Sequence, residues 1–181
     1  LGQTTHTTKL HDTITFSSAS PQLLFDSKRN RIVTTRRTGD WRKFDGPDAI
    51  EVRDAETMEL VPSPIPTLHA GAKIALASDF LLIVSWDAKT EQSVFQVIRF
   101  ETGEVMRAWN SPFRISACEV SPSADLVVCG GAIEGQRKAL FAMDFLTGKQ
   151  VWLTEYAERE FHGVRDIAFS PDGKSLVACN W

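Results

Sequence analysis

Apolar side chains along this chain fall in short runs of about five to eight residues, rich in β-branched and aromatic types and separated by clusters of Ser, Pro, Asp and Gly, a pattern that predicts strands. No segment makes a convincing helix. The runs form groups of four, each reading strand, turn, strand, loop, strand, turn, strand. The first group is Gln22–Ser27, Asn30–Arg36, Ala49–Asp54 and Met58–Ile65; the second is Ala72–Ala77, Phe80–Trp86, Ser93–Phe100 and Glu104–Asn110. The third is Ile115–Val120, Asp125–Gly130, Lys138–Asp144 and Lys149–Thr154, and a fourth supplies Val164–Ser170 and Ser175–Asn180.

One phrase recurs at the second strand of each group: Ile32-Val33-Thr34-Thr35, Leu82-Ile83-Val84-Ser85, Leu126-Val127-Val128-Cys129 and Leu176-Val177-Ala178-Cys179, spaced by 50, 44 and 50 residues. A second phrase lies between its copies: Asp54-Ala55-Glu56-Thr57, Arg99-Phe100-Glu101-Thr102 and Asp144-Phe145-Leu146-Thr147, with threonines 45 apart both times. Gly103 and Gly148 follow two of them and supply the positive φ of a tight hairpin turn. Met58 stands there in the first copy, so that turn is expected to differ or to be strained. A period of roughly 40–50 residues with four strands per period is that of propeller blades. The expected fold is therefore all-β, a partial β-propeller of about three and a half four-stranded antiparallel blades, at approximately 22–66, 72–110, 115–154 and 164–181. Residues 11–17, with Thr13-Ile14-Thr15-Phe16, read as the last strand of a preceding blade. Closed propellers typically take about 4–8 blades, so residues 1–181 read as a single propeller fragment, which the remaining blades of the same or another chain would close.

The run Val164-Arg165-Asp166-Ile167-Ala168-Phe169-Ser170-Pro171-Asp172-Gly173-Lys174-Ser175-Leu176-Val177-Ala178 resembles the first half of a WD40 repeat, and Ser121-Pro122-Ser123-Ala124-Asp125 repeats its turn more loosely. The family's Trp-Asp dipeptide is replaced by Arg53-Asp54, Ile98-Arg99 and Met143-Asp144. The stretch from Leu140 to Trp152 also resembles, more weakly, the tryptophan-docking motif of quinoprotein-like propellers, in which a tryptophan of one blade packs onto the next. The first resemblance implies a scaffold that displays loops to partners. The second implies the alternative, a propeller enzyme of quinoprotein-dehydrogenase or lactonase-like type with a site in the axial channel.

Composition narrows this further. With 43% hydrophobic and 24% charged residues the 181-residue chain has the makings of an ordinary folded domain. Its longest apolar stretch, Phe80-Leu81-Leu82-Ile83-Val84, is too short to span a bilayer, so no membrane partner is expected. A net charge of −3 implies no obligatory polyanion, and nucleic acid is not the expected partner. Three cysteines without a CxxC pair make neither a disulfide framework nor a zinc site. Cys118 and Cys129 fall on the first two strands of the third blade, where a turn centred between Ser123 and Ala124 sets them across from each other. A redox-switchable bond there is weighed against the simpler role of cysteine as a small buried hydrophobe. The equivalents Thr35, Ser85 and Cys179 are all small, which favours packing. His6, His11, His69 and His162 have no ligand-like arrangement, and no catalytic, phosphate-binding or calcium-loop motif occurs. No metal, cofactor or catalytic residue is expected.

Binding is expected on the face that carries the loops joining second to third strands, since long loops on a rigid scaffold commonly carry function. The segment 38–48 holds Trp41, Arg42, Lys43 and Phe44, and its counterpart 130–137 ends at Arg137. Residues 28–43 contain seven basic side chains, Lys28, Arg29, Arg31, Arg36, Arg37, Arg42 and Lys43, against the single acid Asp40. Interleaved with Trp41 and Phe44, this cluster has the Arg and aromatic content of an interface hot spot, and Trp86 falls beside the corresponding loop of the second blade. The site residues expected are Arg36, Arg37, Trp41, Arg42, Lys43, Phe44, Trp86 and Arg137, binding a protein or peptide partner of acidic character. The competing reading is that these strand cations point to solvent and are neutralised by acids of other blades.

Overall fold

The computed structural model describes residues 22–37, 48–65, 71–132, 138–156 and 164–180, and these contain fourteen strands and no helix. The first blade is β1 (Leu23–Asp26), β2 (Arg31–Arg37), β3 (Asp48–Asp54) and β4 (Leu60–Val61). The second is β5 (Lys73–Ala77), β6 (Phe80–Asp87), β7 (Gln92–Arg99) and β8 (Val105–Ser111). The third is β9 (Arg114–Val120), β10 (Leu126–Ala132), β11 (Lys138–Asp144) and β12 (Gln150–Tyr156), and the fourth holds β13 (Val164–Phe169) and β14 (Leu176–Asn180). Every blade is an antiparallel meander in chain order. The first strands β1, β5, β9 and β13 adjoin one another in series, which places them along a common axis. That is a β-propeller: three four-stranded blades and two strands of a fourth. Strand β4 falls short of the expected Met58–Ile65, because Pro62 and Pro64 have no N–H to continue the ladder.

The faces of adjacent blades meet in dry seams, as alternation along each strand requires. Between the first and second blades lie Val33, Val52, Ile74, Leu81, Ile83 and Ile98. Between the second and third lie Leu82, Val84, Phe95, Cys118, Cys129 and Phe141, with Phe113 stacked on Phe141 at 4.2 Å between centroids. Ala117, Val128, Leu140, Val164 and Ile167 fill the third seam, where a methyl group on Gly130 would stand 2.1 Å from Val164 Cβ.

The recurrent phrase does not hold one register: Asn30, Asp79 and Asp125 accept from the amides of Ala55, Phe100 and Phe145, so Arg31, Phe80 and Leu126 correspond, and the phrase starts one residue later in the first blade and two later in the second than in the third. The Ser121 amide donates to the Leu126 carbonyl just as the Ser170 amide donates to Ser175, so Leu126 corresponds to Ser175 and not to Leu176. Ala178 thus takes the place of Cys129 and packs towards the preceding blade, while Cys179 faces the other way and is exposed. The first blade is shifted likewise, with Val33 rather than Ile32 turned into the seam with the second. A one-residue slip reverses every side chain of a strand, and it overturns the expectation that Cys179 and Thr35 are the counterparts of Cys129; Ser85 is not its counterpart either, since Ile83 takes that place in the second blade and Ser85 that of Gly131.

The 45-residue phrase has a local cause. Asp54 Oδ1 accepts from the Glu56 and Thr57 amides and Asp144 Oδ1 from the Thr147 amide, while each threonine Oγ1 accepts from the amide two residues on. Positive φ then closes each turn, at Met58 (φ 61°), Gly103 (φ 71°) and Gly148 (φ 68°). The first turn keeps the same shape and bears the strain of a side chain in the left-handed region. Met58→Gly is expected to raise stability by about 0.5–1 kcal/mol, the relief of left-handed strain exceeding the flexibility glycine adds to the unfolded chain; urea unfolding that shows no gain would refute it.

Candidate functional site

Two ends of the propeller axis carry different chemistry. The loops between second and third strands and the connections between blades emerge at one end; the tight turns emerge at the other. At the loop end Trp86 is the penultimate residue of β6 and Arg114 opens β9, and the Arg114 guanidinium lies over the indole at 5.6 Å from its centroid. Arg114 is exposed and Trp86 half-buried, so the pair forms a ridge across the seam between the second and third blades.

Of the other expected site residues, Arg36 is 60% exposed, on the loop-end half of β2, and pairs with Glu51 at 2.5 Å. Arg37 ends the same strand opposite Asp48. Trp41, Arg42, Lys43, Phe44 and Arg137 lie outside the described residues, as do the four histidines.

The basic run does not form one patch. Lys28, Arg29 and Arg31 sit at the turn end, separated from Arg36 by the length of β2, roughly 20 Å. There Lys28 bonds Asp79 at 2.6 Å, and Arg29 reaches Asp26 at 2.9 Å, Asp79 at 2.6 Å and Glu101 at 2.5 Å, with its guanidinium over the Phe100 ring. Burial works against the Arg29 charge, and the bonds to Asp26, Glu101 and Asp79 outweigh it, so its pKa rises above the ordinary arginine value. Lys28 and Arg29 in turn hold the Asp79 carboxyl below the usual range. This cluster ties the first blade to the second. Acids of the second blade thus neutralise that half of the run, together with Asp26 of the first, while Arg29 is largely buried and does not point to solvent.

Also at the turn end, the last residues of β5, β9 and β13 and the turns after them line a half-open cavity of about 300 Å³, with Leu76, Ala77, Glu119, Val120, Ile167 and Phe169 among its walls. Glu119 is the charged group in this wall whose titration is displaced upward: burial pushes its carboxyl up to about 7, repulsion from Asp166 adds to the rise, and the Val120 amide opposes it. Sequence reasoning passed over Glu119. The available signal was an acid between Cys118 and Val120, inside an otherwise apolar inner strand.

The cysteines are placed as expected within their blade, with Cys118 directly opposite Cys129. Both are buried free thiols; burial pushes Cys118 up to about 12 and Cys129 well above its ordinary value, conditions that disfavour the reactive thiolate. Trp109 stacks on Phe95 at 5.2 Å and covers Gly148 of the next blade, where a methyl group would come within 2.7 Å of the indole. Trp152 packs into the seam with the fourth blade. Both tryptophans are thus interblade residues.

No protein-family model matches the sequence. No curated protein matches it either. Among solved structures the chain is similar to hydrazine synthase of Kuenenia stuttgartiensis, with a TM-score of 0.60 at 16% identity over 94% of this chain and 44% of that one. It is also similar to the acylaminoacyl peptidase of Pyrococcus horikoshii, with a TM-score of 0.57 at 10% identity over 91% of this chain and 28% of that one. The β-propeller domain of the trilobed protease from Pyrococcus furiosus aligns at a TM-score of 0.49 and 11% identity, over 76% of this chain and 43% of that one. The chain thus spans less than half the length of each. At such identities what is shared is the propeller fold, and activity does not transfer with it.

Proposed function

We propose that this propeller is a protein-interaction scaffold that binds a protein or peptide partner through its loop end. The observation that supports this most directly is the Trp86–Arg114 pair, an exposed guanidinium seated on a half-buried indole across a blade seam. Arginine and tryptophan are the residue types that dominate interface hot spots, and a pair already held together loses little freedom on binding. The rigid seam beneath fixes the ridge in space. The WD40-like repeats are consistent with the same role, with Trp41, Arg42, Lys43, Phe44 and Arg137 as further contacts.

With the full-length protein as bait and captured partners quantified by mass spectrometry, Arg114→Ala is expected to reduce capture roughly tenfold with the unfolding midpoint unchanged. Capture equal to wild type overturns the reading. A second reading, an enzyme with its site in the axial channel, draws on the cavity beside Glu119. A quinone chromophore or stoichiometric metal in purified full-length protein would favour it.

A further inference from the structure

We infer that the cavity at the turn end of the axis binds a cation carried on an aliphatic stem, with Glu119 as the group that reads its charge. This site lies at the opposite end of the axis from Trp86 and Arg114 and does not depend on the scaffold reading. A volume of about 300 Å³ is at the lower bound of small-molecule sites, room for a group the size of one side chain. Leu76, Val120, Ile167 and Phe169 contribute apolar side chains to a lining that also holds Ser78, Ser121 and Ser170, so methylenes laid on the apolar part lose water favourably while a charged head stays with a polar partner. Consecutive residues of β5, β9 and β13 line it, and each of these strands is the edge of its sheet. Edge strands have backbone carbonyls left over from the ladder, and an ammonium or guanidinium has several N–H groups to offer them.

The neighbouring acids are already engaged. Asp125 accepts from Ser121 and Ser123, Asp172 from Ser170, and Asp79 from Lys28 and Arg29. These bonds hold all three carboxyls below the usual range. Glu119 has no ion pair among the described residues, and its hydrogen-bonding neighbour is the Val120 amide. The flanking inner strands carry Lys73 on β5 and Arg165 and Asp166 on β13, of which Asp166 acts on Glu119, by repulsion, while β10 contributes no charged side chain. A partly buried carboxylate that lacks a counter-ion is costly, and an incoming cation relieves that cost.

The test titrates butylguanidinium, butylammonium and the uncharged isostere butylurea into the full chain and follows backbone amide resonances. Saturable shifts at Ala77, Val120 and Ala168 are expected with the two cations and not with butylurea. Glu119→Gln should weaken cation binding roughly tenfold, the scale of losing one charged hydrogen bond. In wild type the affinity should fall as pH drops from about 8.5 to about 5.5, because the cation binds the carboxylate and not the acid. Any other titration is common to both proteins, so the difference between wild type and variant reports Glu119. A peptide Gly-Arg-Gly, blocked at both ends, that binds more tightly than butylguanidinium identifies a peptide side chain as the occupant; weaker binding identifies a small free cation. Equal binding of butylurea, an affinity indifferent to pH or to Glu119→Gln, or no saturable shift with either cation overturns the inference.

Discussion

Replacing Arg29 by methionine is expected to lower the unfolding free energy by about 3–5 kcal/mol, the range for breaking a buried ion pair by removing one partner. Arg29 is only 12% exposed, and Asp26, which it meets at 2.9 Å, is 6% exposed. Methionine restores most of the volume and none of the charge. Asp26 would keep the Lys28 and Arg29 amides as donors, yet its carboxylate would be left buried without a cation. The exposed partners matter less: Asp79 and Glu101 return to water when released, as surface ion pairs usually do at little cost. The cost should therefore fall largely on Asp26, and Asp26→Asn in the Arg29→Met background should recover part of it. Urea unfolding of the single and double variants measures both quantities. A single-variant loss below about 1 kcal/mol would mean that the cluster is a surface decoration and not a clamp between blades.

The same cluster shows where sequence reading stops. Strand positions were legible because β-branched runs and turn residues act locally, and the blade period followed from their repetition. Asp54 and Asp144 mark their turns by bonds to amides two or three residues away, so those turns too are readable from neighbours in the chain. Arg29 meets Asp79 and Glu101 across a seam, 50 and 72 residues away, and no local pattern reports such partners. A run of seven cations therefore looked like one patch, whereas the extended strand between them carries Arg29 and Arg36 to opposite ends of the blade. The phase of the repeated phrase failed for a related reason. Matching letters gave Cys179 the place of Cys129, but the side a residue faces is set by the hydrogen-bonded turn before it. Glu119 was passed over because one acid in an apolar strand gains meaning only once β13 and the cavity are seen beside it. At the loop end Trp86 was legible as an aromatic beside a loop; its partner Arg114 was not, since the two meet across the seam.

Glu119→Gln is expected to leave stability unchanged near pH 4 and to raise it by about 3 kcal/mol near pH 8, measured without added cation. In the unfolded chain this carboxyl titrates near 4.5, and in the folded chain near 7. A raised folded value means that the native state prefers the proton. Below the unfolded value both states hold it and Glu119 sets no pH dependence. Between the two values the unfolded chain gives it up first, so the contribution of Glu119 to stability declines as pH rises through the folded value and stays low above it. Glutamine keeps the shape and never ionises, so the variant escapes the decline. The six aspartates held low by their turns or cations, Asp54, Asp79, Asp87, Asp125, Asp144 and Asp172, act in the opposite sense and at lower pH. Their stabilisation is present above the ordinary aspartate value and fades as pH falls through their depressed values, equally in wild type and variant. The difference between the two proteins therefore isolates one carboxyl. Parallel stability curves from about pH 4 to about pH 8 would show that Glu119 is solvated in the native state, and the cavity would then have no buried charge with which to recognise a cation.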